Sequence, residues 1–300
     1  MKSFKISSNK KLKSLMQGHP LSPNAALVSK YRERLRKLTQ RMTKGVQKTI
    51  VDFLNKDIVD NYVGNQKSLE DTQRVVLDES LSSQMRIIIN DLKRKYKKVF
   101  SEKSKLYADD MIEEANQINR KAVNLSFSLL SGGLAVKTAK INEGLSEVMK
   151  ASKIENISLI ESIYNRYFTN IEGDVMRAIS SGTLTGLSDE LAKRAGITVR
   201  RADNIANDQT RKVYNNMNKQ RMQSQGLNKY VWRHSSGGQF PRQDHIDMDG
   251  EVFSFDDPPV IDKRTGERGI PGQAINCRCF MVPVIEFDDE EELEEFKDAA

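Results

Sequence analysis

Between Val28 and Gln225, apolar residues recur at spacings of three or four. That period commits most of the chain to amphipathic α-helix before any other feature is weighed. A first stripe runs through Val28, Tyr31, Leu35, Leu38, Met42, Val46, Ile50 and Phe53. A second runs through Met85, Ile88, Leu92, Tyr96 and Val99 and continues to Met111, Ala115 and Ile118. A third joins Ile157, Ile160, Tyr164, Phe168, Ile171 and Val175. After a Gly-Ser-Thr turn at Ser180–Gly186, two helical stretches are expected, Leu187–Ala195 and Thr198–Gln225, the second stopped at Gly226. The most apolar run, Leu125–Val136, is broken by Gly132 and Gly133. It falls well short of the roughly eighteen apolar residues of a membrane span. It is read as a buried helix end and turn, and no membrane partner is expected.

Past Gly226 the pattern changes. Tyr230, Val231 and Trp232, the only tryptophan, open a strand that leads to a Gly237–Gly238 turn. Asp249–Gly250 is a turn dipeptide followed by the alternating run Glu251–Phe255. Asp256–Gln273 is rich in Pro and Gly and reads as loop. Cys279–Ile285 reads as a last strand, which Pro283 should confine to an edge or a bulge. The expected fold class is α+β, a predominantly α-helical body with a small loop-rich β-containing C-terminal module. Five segments follow: a flexible basic arm at 1–25, a helical region with basic faces at 26–150, a helical lead-in at 151–228, the β-containing module at 229–286 and an acidic tail at 287–300.

Charge is segregated along this order. Residues 1–50 hold thirteen Lys/Arg against Glu33, a net of 13 − 1 = +12. Residues 286–300 hold nine Asp/Glu against Lys297, a net of 1 − 9 = −8. A basic block of this kind favours polyanions. Lys2, Lys5, Lys10, Lys11 and Lys13 sit among Ser, Asn and Gly with too little apolar surface to order themselves. Arg34, Arg36, Lys37 and Arg41 lie off the first apolar stripe, and Lys93, Arg94, Lys97 and Lys98 off the second. Acids are scarce beside the second group (Asp91 and Glu102 between 86 and 105), so ion pairing is not expected to consume it. These thirteen residues are the candidates for sequence-independent DNA contact; solvated helix backs and solubilising tails are the competing reading. The acidic tail either occupies the basic face, docks on a partner or is simply solvated.

Two kinds of chemistry have residues to stand on. His234, His245, Cys277 and Cys279 all fall in the β-containing module, and imidazole with thiolate suits Zn²⁺, which would brace a loop-rich segment with little core. The Cys-x-Cys gap is tighter than in zinc fingers, and the alternative is that the cysteines pack as small apolar residues. No cofactor is otherwise required. The second kind is a metal-dependent HNH-like nuclease, because Gln243-Asp244-His245-Ile246 resembles the first strand of that motif, with Asp244 and His245 as metal ligand and general base. Asn276 is present downstream, but no histidine follows it. No Walker loop, GxSxG elbow or HExxH occurs, so hydrolase constellations have little support and no enzyme is expected. Two cysteines one residue apart do not make a disulfide framework, and no secretory signal opens the chain, so assembly in a reducing host cytoplasm is expected.

An ordered series gathers these pieces: Trp232, then Arg242-x-x-His245-x-x-Met248-Asp249-Gly250, Phe255, Pro258-Pro259, and Pro271-Gly272-Gln-Ala-Ile-Asn276-Cys277-Arg278-Cys279. It resembles the C-terminal module of phage Mu F-like head morphogenesis proteins. Upstream, Leu159–Ile163, the Gly182–Gly186 turn and Arg200–Ala206 resemble that family's helical lead-in, so the likeness spans about Asn156 to Ile285. Many relatives carry a His-Pro pair where this chain has Ala274-Ile275, which removes one potential metal ligand. The resemblance implies a minor capsid protein present in a few copies in the head interior near the portal. Its partners would be the portal protein, phage DNA and capsid or scaffolding protein. Its roles would lie in head morphogenesis and in DNA packaging or delivery, including ejection.

Overall fold

The computed structural model describes residues 14–63, 71–132, 137–182, 184, 186–237 and 241–287, with 294, 295 and 298 of the tail. Lys2, Lys5, Lys10, Lys11, Lys13 and most of the acidic tail lie outside the described residues. Four long helices dominate: α1 (Ala25–Val63), α2 (Asp71–Leu130), α3 (Glu143–Ser180) and α4 (Leu187–Gln223). With the short strands described below, this is the helix-dominated α+β class expected. No described helix is long and apolar enough to cross a membrane.

Local sequence explains the helix ends. Asn24 Oδ1 accepts the Leu27 amide at the start of α1, and Asn142 Oδ1 accepts the Leu145 amide at the start of α3. Each pairs a donor that the first helical turn leaves open. α4 ends where the sequence indicated. Gly226 adopts φ +77°, and the Leu227 amide reaches back to the Met222 carbonyl, a left-handed cap that favours glycine. The break expected between Ala195 and Thr198 does not occur. α4 runs through Gly196, whose missing side chain costs helix stability without ending the helix.

The chain divides into two compact units. One takes Asn24–Glu113 and Lys150–Thr210 and is all helix. Leu27, Tyr31, Leu35, Leu38, Met42, Val46, Ile50 and Leu54 are its buried α1 face, so Leu54 replaces the expected Phe53. On α2 the buried face includes Met85, Ile89, Leu92, Tyr96, Phe100, Ala108, Met111 and Ile112, so Ile89 and Phe100 take the places expected of Ile88 and Val99. Tyr96, Phe100, Tyr164, Tyr167 and Phe168 form an aromatic cluster with ring centroids 5.1–6.3 Å apart.

The other unit takes the chain up to Pro23, Glu114–Met149 and everything from Arg211 on. Its sheet contains β1 (Ser14–Gln17), β2 (Lys229–Arg233), β3 (Val252–Ser254) and β6 (Phe280–Phe287), in the antiparallel order β1-β6-β2-β3. A separate hairpin pairs β4 (Val260–Asp262) with β5 (Glu267–Arg268), within the segment read as loop. A single turn of helix, α5, spans Gln243–Asp247. Alternation along β2 and β6 sends Tyr230, Trp232 and Met281, with Cys279 just ahead of β6, to one face, and Val231, Val282 and Val284 to the other. The first face packs on Val123, Phe127 and Leu130 of α2 and Met222 of α4. Only one side of the described part of that run, Leu125–Leu130, is therefore interior: Leu125 and Leu129 are exposed.

One expectation fails here and another holds in only one of its two forms. The flexible arm does not extend to residue 25, because Ser14–Gln17 pair with Val284–Phe287 and Leu21 is fully buried. Pro283 is not on an edge, since β6 lies between β1 and β2, but the pairing slips by one residue beside it, from Gln17↔Val284 to Leu21↔Met281, as at a bulge. Its carbonyl accepts the Gly18 amide just beyond the end of β1, at 2.9 Å. The N–H that proline lacks would point to that same side, where the register slips before Leu21 pairs with Met281.

Candidate functional site

The motif series from Trp232 to Cys279 folds into one polar cluster and the ties that hold it. α5 points His245 inward, and the turn preceding β6 brings Cys277 and Cys279 to the same place. All three are buried, and their donor atoms lie within 4.8 Å of one another. Cys277 Sγ is 3.3 Å and Cys279 Sγ 3.7 Å from His245 Nδ1. His245 Nε2 lies 3.0 Å from the Ile261 carbonyl. A carbonyl only accepts, so Nε2 carries the proton and Nδ1 presents its lone pair to the sulfurs. The Trp232 ring meets His245 edge-on at 5.2 Å, and its Nε1 is buried with no hydrogen-bond partner among the described residues.

Electrostatics separate the two thiols. A hydrogen bond from Cys279 holds the Cys277 thiol well below the usual range, and the contact with His245 adds to this against the cost of burial. Cys279 is driven up by that same hydrogen bond and by burial. For His245, burial acts downward, but the contacts with Cys277 and the Ile261 carbonyl outweigh it and raise the imidazole.

The other motif residues fasten the surrounding loops. Arg242 donates through Nη2 to the Ile275 carbonyl at 3.0 Å, and Arg278 donates through Nη1 to the Gly237 carbonyl. Asp249 accepts the His234 amide at 2.9 Å, and Gly250 turns at φ +86° while its amide bonds the Trp232 carbonyl. The Pro259 carbonyl accepts the Gly269 amide at 3.0 Å. Asn276 adopts φ 60°, a left-handed conformation that asparagine tolerates better than most residues, immediately before Cys277. Of the four candidate metal ligands, three converge and His234 does not. His234 is partly exposed, and its Nδ1 accepts the Ser236 amide at 3.3 Å.

The nuclease geometry is overturned. Gln243–Ile246 lies in the helical turn α5, where that motif needs a strand. Asp244 pairs with Lys263, and both ring nitrogens of the buried His245 are engaged. The residues after Asn276 enter β6 rather than a closing helix.

The basic candidates on α1 and α2 fall in the all-helical unit, and many of them are paired with acids, contrary to expectation. Arg34 pairs with Asp110 and Arg36 with Asp203, each at 2.6 Å, and Lys93 pairs with Glu172 at 2.5 Å. Lys37 pairs with Glu33 at 3.2 Å, and Arg94 with Asp91. Most of these acids come from other helices, which inspection of one helix at a time misses. Arg41, Lys97 and Lys98 are exposed and have no ion-pair partner among the described residues.

A buried constellation that sequence inspection missed centres on Arg221, which is 2% exposed. Nε donates to Asn119 at 2.9 Å. Nη1 donates to Thr138 at 3.2 Å and the Ala139 carbonyl at 2.5 Å. Nη2 donates to Asn116 at 2.6 Å and the Lys140 carbonyl at 3.1 Å. All five guanidinium donors are used, and none of the acceptors is charged. Burial therefore lowers the Arg221 pKa to about 10, with Arg120 adding repulsion. Asn119 also donates to Asn218, which donates to the Leu21 carbonyl at 3.2 Å. The available signal was polar: Asn116, Asn119, Asn215, Asn218 and Arg221 occur at helical spacing in phase with the apolar face.

With this geometry in place, comparison with known proteins is specific. Residues 169–282 match the family described as Phage Mu protein F like protein. The Mu F-like span contains the whole series from Trp232 to Cys279 and the Arg200–Ala206 segment, and leaves Leu159–Ile163 outside. It supports the resemblance drawn from the sequence. An uncharacterized protein of Haemophilus influenzae is 23% identical over 261 residues, which is 87% of this chain and 54% of that protein. The chain thus spans about half the length of the curated relative it matches. No solved structure matches.

Proposed function

We propose that this protein acts in phage head morphogenesis as a non-enzymatic minor capsid component associated with the portal vertex. The observation that carries the proposal is the Mu F-like match over residues 169–282, which contains the complete motif series. Those motif residues tie loops together rather than open a reactive cleft, which suits a docking module better than a catalyst. Placement in the head interior follows from this role, and so does a part in DNA packaging or delivery.

DNA contact is assigned to Arg41, Lys97 and Lys98, together with the basic residues of the first thirteen. Arg41, Lys97 and Lys98 have no ion-pair partner among the described residues, and those of the first thirteen enter on their sequence charge alone. Such contact would be independent of sequence and would weaken steeply with salt, because neutralised phosphates release counterions. The same exposed cations would equally serve an acidic face of the portal protein.

The decisive experiment is co-purification with the portal protein from infected cells, with and without nuclease treatment. Retention after nuclease supports direct portal docking. Loss on nuclease treatment reduces the association to shared DNA, and absence from both preparations defeats the proposal.

A further inference from the structure

Among the described residues, His245, Cys277 and Cys279 are the only group of three or more His, Cys, Asp or Glu donors that converge. We infer that these three side chains bind a single zinc ion that joins α5 to the start of β6. Such binding does not depend on any role in a phage head.

Four observations on this cluster agree. The first is spacing. Zn–S and Zn–N bonds of about 2.3 and 2.0 Å at tetrahedral angles separate sulfur from nitrogen by about 3.5 Å. The two measured separations, 3.3 and 3.7 Å, bracket that value. The second is orientation. A zinc-bound histidine commonly donates its other ring N–H to a carbonyl or carboxylate, which fixes the tautomer and aims the free nitrogen. The bond from His245 Nε2 to the Ile261 carbonyl does this, leaving Nδ1 toward both sulfurs.

The third is a crowding of lone pairs. Two sulfurs and Nδ1 converge in a buried place, and Nδ1 has a single lone pair with which to accept from either of them. A cation in contact with both sulfurs and Nδ1 removes the conflict, because all three then act as lone-pair donors. The fourth is Trp232, whose ring packs edge-on against His245 and whose buried Nε1–H has no partner among the described residues. A thiolate is a better acceptor for that N–H than a thiol.

The ion would have a structural role. α5 is five residues long, β4 and β5 pair over a few residues, and Asn276 is held in a left-handed conformation just ahead of Cys277. Elements this short have little core of their own, and a metal bond among them contributes directly to folding. Zinc favours four ligands, so a water or another small ligand completes the tetrahedron. His234 is not part of the set.

The test is elemental analysis of the full chain, purified under reducing conditions and dialysed against metal-free buffer after exposure to zinc. The expected result is close to one zinc per chain. His234→Ala should retain it, whereas His245→Ala, Cys277→Ser and Cys279→Ser should fall to background. Replacement by cobalt should give the thiolate charge-transfer absorption of a two-sulfur site, and this spectrum of the unaltered protein decides the matter if a variant fails to fold. Zinc at background in the unaltered protein would overturn the inference. So would equal loss in His234→Ala, stoichiometric iron or copper instead of zinc, a Cys277–Cys279 disulfide in the reduced preparation, or a cobalt spectrum without thiolate absorption.

Discussion

Among the described residues, each of the two units buries one arginine or carboxylate, and they do so in opposite ways. In the unit that holds the sheet, Arg221 is enclosed by five neutral acceptors and no carboxylate. In the all-helical unit, Asp174 is buried and paired with Arg194 through two hydrogen bonds, of 2.6 and 3.2 Å, with Arg177 also in contact. Asp174 has its charge compensated by partners that themselves reach solvent. Arg221 keeps an uncompensated charge and offsets its burial through geometry alone, since it draws the 138–140 segment and two asparagines of α2 onto α4. The arrangement at Asp174 tolerates some adjustment; the one at Arg221 depends on every acceptor staying in place.

That contrast sets an order of expected effects. Arg221→Met should be the most damaging change, destabilising by about 4 kcal/mol, because five acceptors lose their donor inside the protein. Arg221→Lys, with three donors, should recover part of that loss, and urea denaturation would measure both. Equal effects for Lys and Met would show that charge rather than donor geometry matters. Asp174→Ala should follow at about 3 kcal/mol, as Arg194 loses a bidentate partner. Leu21→Ala should cost a comparable ~3 kcal/mol through the cavity left in the core of the sheet unit. A negligible change there would mean that the segment following β1 contributes nothing to stability.

The exposed cations should move stability least and binding most. Lys97→Glu with Lys98→Glu should leave the urea midpoint unchanged while weakening duplex binding, with the salt slope lowered by about one for each phosphate no longer neutralised. Arg36→Ala removes only a solvent-exposed ion pair with Asp203 and should change neither observable. A drop in DNA binding for Arg36→Ala as large as for the lysine variant would erase the distinction between committed and uncommitted cations.

How much of this was legible in the sequence depends on the range of the interactions. The helices were, because periodicity is local; the register slipped by one residue at places such as Phe53 to Leu54, Ile88 to Ile89 and Val99 to Phe100, and Asn119 and Asn156 are buried beside Ile118 and Ile157. Gly226 was legible as a stop because a left-handed cap needs a particular residue. β1 was not, since Ser14–Gln17 become a strand only by pairing with Val284–Phe287, at the far end of the chain. The ion pairs of Arg34, Arg36 and Lys93 were missed for the same reason. His245, Cys277 and Cys279 could be picked out by type, but excluding His234 required seeing its ring nitrogen turned to Ser236. Arg221 lay hidden because an arginine on a helix is ordinarily read as surface.

The most direct test of a role in the phage head is mass spectrometry of purified particles, both DNA-filled and emptied after ejection. The expected result is this protein at a few copies per head, far below the major capsid protein, in particles stripped of loosely bound material. Its confinement to the soluble fraction of the infected cell, with none in purified particles, would contradict that role.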